Sequence, residues 1–420
     1  MQDRFDVVIL SIFGRGHWLA AELAEAGRRV ALVDVSSKLG RWAPEDWEGP
    51  FGFFHSDRLS ASQIERLSED DYHDPVDQGF VMWLRSGPID MKGPLSSFWF
   101  NKLGFSNDVT RYINSYNSLS EEERTQLKNK IAEDPFQETW FAHLCHQLAS
   151  TTYLESANAV KHGRPLNVMS PLNIRRVTRR GFEKSLDWCE KKGVRVFRNA
   201  EVVDAQMESK KLERIEIRSD WSGNIEGQRF IWQLTSDETY HISKKLGEQI
   251  FPSGRVRSTW SWMRFRIQLE STPTLASLPN QFVMLNDIFL PWTHSNLLIV
   301  QKTVKPENFD VWVRIPTQLR YRRSYLENIN KEILEEFASR IPGSTPVNID
   351  MPQDYLYEEE ELGPSRHPIF APEEVRALKR VKLDNLTFDG PETWVNLDWL
   401  GQFEKQTELK HNMLVLNNDG

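Results

Sequence analysis

The residues with the clearest chemical meaning lie near the N-terminus: Ser11, Phe13, Gly16 and, further on, Asp34. Their spacing is that of a turn that lays backbone amides against a pyrophosphate, followed by an acid that accepts a ribose hydroxyl. The residue types fit less well than the spacing. In this fingerprint the first glycine permits a tight turn, the second lets backbone approach the phosphates, and the third lets the helix pack on the strand. Gly16 keeps the packing role, and Ser11 is a small replacement at the turn. Phe13 sets a benzyl group where phosphates would meet bare backbone. Arg15 and His17 offer direct anion contacts beside a helix N-terminus, with a geometry unlike that of an open amide nest.

Other chemistry-bearing residues are more weakly organised. His143, Cys145 and His146 share a short amphipathic segment, but zinc sites need about four ligands and none stands at finger spacing; no metal is expected. Arg175, Arg176, Arg179 and Arg180 form a basic cluster, read as a solvated turn before a helix or as a guide for an anionic ligand. His294, in PWTHSN, has the chemistry of a general acid or base, with no carboxylate beside it in sequence. Lys302 and Trp312 fall on alternating segments and line a cavity or fill ordinary sheet positions. No CxxC, HExxH, P-loop or GxSxG occurs, so no catalytic residue is assigned. Four consecutive glutamates, Glu358–Glu361, read as a solvated face.

Elements that would position these residues follow from periodicity. Val7–Leu10 is a strand-length apolar run. Ala20, Leu23 and Ala24 fall on one helical face that Gly27 ends, and Val30–Val33 forms a second strand closing on Asp34. Short helices are expected over 60–71, from Ser118, and over 138–150, with strands broken by Gly-Pro turns over 79–100. The continuation is a helix closed by Gly193, the strand VRVF, the segments EVVDAQ and LERIEIRS, and a buried strand over Arg229–Leu234. Alternating WSWMRFRIQLE, LLIVQKTV and DVWVRIP point to an antiparallel sheet of half-buried strands. A helix over Tyr325–Arg340, a strand at Asn385–Phe388 and a last helix complete the chain.

Bulk properties narrow the class. A chain of 420 residues with 39% hydrophobic and 27% charged residues is a globular protein of two domains or one elaborate one. Its net charge of -8 gives no support to nucleic-acid binding. Two cysteines make no disulfide framework, and with no signal-like N-terminus a cytoplasmic location is expected. No apolar run approaches the ~18 residues of a membrane span. Fifteen tryptophans imply a large aromatic core, an aromatic cavity or a partner surface.

Three stretches resemble the FAD-dependent amine oxidase and phytoene desaturase-like flavoproteins. The first is the βαβ unit from Asp6 to Asp34, with KLGR after it similar to that family's Gly-Gly-Arg turn. The second is RRGFEKSLDWCEKKGVRVFRNAEVVDAQ, and the third is NLTFDGPETW. The resemblance implies an α/β fold: a Rossmann-like FAD/NAD(P)-binding domain with a discontinuous α+β substrate-type domain carrying an antiparallel sheet. It implies a first domain over 1–75, 166–257 and 365–420, and a second over 76–165 and 258–364. It carries FAD contacts onto Ser11, Phe13, Gly16, Asp34, Gly40, Arg41, Val203 (beside Val202) and Gly390. The chain departs from the family's pattern at three different cofactor contacts. Phe13 replaces a glycine, the Gly-Gly pair survives only as Gly40, and Trp399 and Phe403 are bulky where the family keeps small residues under the flavin.

The sequence therefore favours a degenerate flavoprotein fold that has lost ordinary FAD binding and serves as a non-catalytic binding or assembly module. The alternative is an active FAD-dependent oxidoreductase with an atypical phosphate loop. The partner would be a protein or a small apolar or amine ligand; the oligomeric state is undetermined.

Overall fold

The computed structural model describes residues 3–12, 14–35, 54–55, 80–85, 87–90, 120, 122, 174–175, 186–270, 272, 275, 278, 281–286, 293–303, 305, 307–341, 343–350, 368–370, 372–393 and 398–415. The first described strands are β1 (Asp3–Ser11), β2 (Val30–Asp34), β3 (Phe54–His55), β4 (Phe80–Leu84), β5 (Gly87–Asp90), β6 (Ile174–Arg175), β7 (Arg195–Phe197), β8 (Glu201–Glu208) and β9 (Lys211–Arg218). They are followed by β10 (Ser222–Trp232), β11 (Trp260–Leu269), β12 (Gln281–Leu285), β13 (Leu297–Lys302), β14 (Asn308–Pro316), β15 (Pro346–Asp350), β16 (Pro368–Ile369) and β17 (Leu386–Phe388). The helices are α1 (His17–Glu25), α2 (Ser236–Ile242), α3 (Lys244–Ile250), α4 (Arg323–Arg340), α5 (Pro372–Ala377) and α6 (Asp398–Val415), and residues 186–191 are also helical.

The first sheet runs β7-β2-β1-β10-β9-β8, with β17 also paired to β10. Its centre is parallel: β1 pairs with β2 and with β10, β2 with β7, and β10 with β17. Both faces are covered, as parallel sheets require. Val7 and Ile9 pack with Trp18, Leu19 and Leu23 of α1, with Leu186 and Cys189, and with Leu409 of α6. Val8 and Leu10 point the other way, onto Ile215, Ile217, Leu246 and Ile250. The hairpin β8–β9 continues antiparallel onto the first half of β10, and β17 takes the same edge of β10 beyond it. The buried strand expected over Arg229–Leu234 is thus the end of a longer one. Trp232 is its last residue, because Thr235 already caps α2.

The second sheet runs β15-β11-β14-β13-β12-β4-β5, with β16 on β11. One face buries Phe265, Ile267, Phe282, Val311 and Val313 against Leu326, Ile329, Ile333 and Phe337 of α4. The helix begins at Arg323 and ends at Arg340, close to the expected span. The expected antiparallel arrangement holds except at one place. β12 and β4 are parallel, in register from Gln281 with Phe80 to Leu285 with Leu84. A parallel partner needs a long crossover connection, which the chain between β5 and β12 supplies. The helices expected over 60–71, from Ser118 and over 138–150 lie outside the described residues.

Candidate functional site

Parallel register sets the ends of the central strands side by side. Ser11 stands opposite Asp34, Leu10 opposite Trp232, and Trp232 opposite Phe388. The chain leaves β1, β2, β10 and β17 along one edge, the edge at which open α/β sheets bind ligands. Gathered there are the turn from Ser11 to Gly16, Asp34, the segment Gln233–Glu238, and Asp389–Glu392.

The turn closes on itself. Gly14 and Gly16 have φ of 79° and 80°, backbone angles that favour glycine. The Arg15 amide donates to the Ile12 carbonyl at 3.0 Å and the His17 amide to the Gly14 carbonyl at 3.4 Å. The Ser11 hydroxyl donates to the Arg15 carbonyl at 2.5 Å. Ser11 is therefore more than a tolerated small residue; its Oγ helps to shut the turn. Gly16 caps α1, and a Cβ there would stand 2.1 Å from Oε1 of Gln233. The packing role assigned to Gly16 is thus exercised against Gln233, the first residue past β10, whose Nε2 donates to Asp389 at 2.8 Å.

Arg15 does not offer its charge outward, contrary to the expectation of a direct anion contact. Its Nη1 lies 2.7 Å from Glu238 Oε2 and 3.1 Å from the Gln233 carbonyl, with 9% of the Arg15 side chain and 1% of the Glu238 side chain exposed. His17 is fully buried at the first position of α1, so it offers no open anion contact either. The same Glu238 completes a capping box on α2. Thr235 Oγ1 accepts from the Glu238 amide, and Glu238 Oε2 accepts from the Thr235 amide at 2.7 Å. Arg15 thereby fastens the turn to the start of α2. The Thr-x-x-Glu spacing after an apolar strand was a readable signal for this cap; Arg15 as its partner was not.

Glu392, past β17, is the other buried junction. Ser236 gives both its amide, at 2.7 Å, and its hydroxyl, at 2.6 Å, to Glu392 Oε1, while the Val256 amide donates to Ser236 Oγ at 2.9 Å. Burial pushes the Glu392 carboxyl up to about 7, with Glu238 acting in the same sense and Ser236 and Arg380 opposing. Asp237 is held by Arg255 at 3.3 Å and Arg257 at 3.9 Å. Asp34, Asp237, Glu238, Asp389 and Glu392 are all buried, so the strand ends carry a concentration of carboxylates.

The remaining expected contacts are placed as follows. Asp34 is buried at the end of β2, and its carbonyl accepts from the Ala200 amide at 2.8 Å. Val202 is buried, while Val203 is half-buried at a register shift in β8. Gly390 lets the chain just past β17 lie against the chain just past β10, because a Cβ would stand 2.9 Å from the Leu234 carbonyl oxygen. Phe13, Gly40, Arg41, His143, Cys145, His146, Arg176, Arg179 and Arg180 lie outside the described residues, as do the side chains of Arg175, Trp399 and Phe403. Among the described residues no group of three His, Cys, Asp or Glu side chains could hold a metal ion, and no helix is long and apolar enough to cross a membrane.

Folding supplies His294 with the carboxylate its sequence neighbours lack. Its Nδ1 is 3.1 Å from the Tyr325 hydroxyl and its Nε2 is 3.5 Å from Glu332, both on α4. Burial holds the imidazole below its usual range against the pull of Glu332, and pushes the Tyr325 phenol up to about 12. Lys302 turns its Nζ to the Leu275 carbonyl at 2.9 Å and Trp312 is buried in β14, so both serve the sheet. Arg314 is a site that the sequence did not flag. It is buried over the Trp262 ring at 4.7 Å, and burial pushes it down to about 9.

No known protein-family model matches the sequence, and no curated relative matches it. Solved structures do share its architecture. Putrescine oxidase bound to putrescine is 13% identical with a TM-score of 0.57, over 99% of this chain and 100% of that one. An oxidoreductase from Methanosarcina mazei is 13% identical with a TM-score of 0.53, over 96% and 100%. The p-nitrophenol 4-monooxygenase of Pseudomonas putida DLL-E4 is 11% identical with a TM-score of 0.51, over 100% and 82%. At these identities the likeness is one of fold. The chain shares the fold of these oxidoreductases, a Rossmann-like sheet with a parallel centre beside a largely antiparallel one.

Proposed function

We propose that this chain is a non-catalytic binding or assembly module built on the flavoprotein fold, and that it does not hold FAD in the ordinary way. The observation that carries this reading is the Arg15–Glu238 pair at the strand ends, with 1% of the Glu238 side chain exposed. The buried carboxylates of Glu238 and Asp237 already engage Arg15, Arg255 and Arg257, so a pyrophosphate entering there would have to displace an existing buried ion pair. The nearest cation of the turn is already bound to Glu238, and two amides of the turn are bonded to its own carbonyls. Ser11 and Phe13 at two fingerprint positions support the same reading from sequence. The ligand of such a module is a protein partner, or a small apolar or amine molecule.

A second reading, an active FAD-dependent oxidoreductase with an atypical phosphate loop, is favoured by Gly14. Its φ of 79° keeps a side-chain-free residue in the turn beside Phe13. The purified protein separates the two. The first reading expects no visible flavin absorbance, no flavin mass on denaturation and no quenching of added FAD fluorescence. A stoichiometric flavin spectrum would overturn it.

A further inference from the structure

Beside the strand ends, the chain carries two adjoining recesses that share Leu378. One, of about 710 Å³, lies between the connection 253–259 and α5. The other, of about 790 Å³, lies along residues 378–388. Among the lining side chains, Arg255, Arg257, Lys379, Arg380 and Lys382 outnumber the acids Glu374 and Asp384. With the buried acids Asp237 and Glu392 counted as well, the balance is five cations to four carboxylates, in a chain whose net charge is -8.

The cations are not equivalent. Arg255 and Arg257 face Asp237, and Arg380 lies 3.5 Å from Glu392 and over the Phe388 ring at 5.6 Å. Lys379 and Lys382 are exposed, and among the described residues neither ammonium has an ion pair. Between and beside them Val381, Leu383, Leu386 and Phe388 are only partly buried, packed on the first sheet's core. The segment itself is pinned: the Lys379 amide donates to Ser253 Oγ at 2.8 Å, the Val381 amide to the Ile250 carbonyl at 2.9 Å, and the Asp384 amide to the Lys210 carbonyl at 2.8 Å. The result is a preorganised strip in which two outward cations flank apolar side chains.

We infer that this strip is a docking surface for an extended acidic segment of a partner protein, with carboxylates on Lys379 and Lys382 and apolar side chains on Val381 and Leu383. Charge complementarity selects such a partner, and the half-buried apolar floor favours a peptide over a bare polyanion. The inference supplies partner chemistry for the binding-module reading, and the two fail separately. A flavin-loaded protein that binds the peptide refutes the module reading alone; a colourless protein that does not bind it refutes this inference alone.

The test uses the full chain and a fluorescein-labelled octapeptide alternating glutamate and leucine, followed by anisotropy. The wild type should bind it, more weakly at high salt, and should bind a glutamine–leucine counterpart about tenfold less tightly. Lys379→Glu combined with Lys382→Glu should lose about tenfold or more in affinity, with unchanged circular dichroism, while Lys305→Glu should leave it unaltered. Equal binding of both peptides, no effect of the double reversal, no binding at all, or tighter binding of single-stranded DNA or phosphatidylserine vesicles would each overturn the inference.

Discussion

Replacing Arg15 by alanine is the sharpest structural perturbation of the strand-end site. The Arg15 guanidinium touches Glu238 Oε2 at 2.7 Å and the Gln233 carbonyl at 3.1 Å, and both side chains are more than nine-tenths buried. Truncation leaves the Glu238 carboxylate without this cation in a place that water does not reach. Such an uncompensated buried charge costs about 3–5 kcal/mol. The Thr235 amide still donates to Glu238 Oε2, which favours the lower end of that range. Glu238→Gln added to Arg15→Ala removes both charges and keeps an amide oxygen for the Thr235 cap. The double variant should recover much of the loss, with a coupling of about 2 kcal/mol or more in the cycle. Urea unfolding followed by tryptophan fluorescence measures these differences, provided the denaturant slope stays constant. A loss below about 1 kcal/mol for Arg15→Ala, or additive single effects, would refute the idea that this pair holds the turn to α2.

Stability should also fall as pH rises through the range set by Glu392. Its carboxyl, ordinarily near 4.5, is raised to about 7 in the folded chain, so the folded state holds a proton that the unfolded state has released. The contribution is therefore fully present below the unfolded value, is lost between about 4.5 and 7, and amounts to about 3 kcal/mol. Glu392→Gln should flatten that slope while keeping an acceptor for Ser236; an unchanged slope would assign the dependence elsewhere. Gly16→Ala should destabilise the fold by about 2 kcal/mol or more. It places a Cβ 2.1 Å from Gln233 Oε1 at a φ of 80°, and a melting temperature equal to that of the parent would count against the close packing of α1 on β10.

The chain order of the first sheet was legible because its cause is local. Apolar runs such as Val7–Leu10 and Val30–Val33, and stops such as Gly27 and Gly193, are short-range signals, and the parallel centre of the sheet follows from them. The alternation of β11 was likewise readable, because one face of its sheet lies on α4. β13 and β14 depart from the expected half-buried pattern: Leu297–Gln301 and Phe309–Ile315 are buried throughout, so both faces of these central strands are covered. The parallel pairing of β12 with β4 was not, since register between distant segments leaves no local trace.

The site divides in the same way. Sequence alone determined that Ser11 and Asp34 fall at strand ends, because each closes an apolar run, while Gly390 was placed after the last strand only by the family resemblance. Only the tertiary structure decided what their neighbours are: Arg15 with Glu238, Ser236 with Glu392, Gln233 with Asp389, and His294 with Tyr325 and Glu332. These partners are far apart in the chain or on different elements, and a side chain's charge acts through space, on whatever the fold brings within a few ångströms.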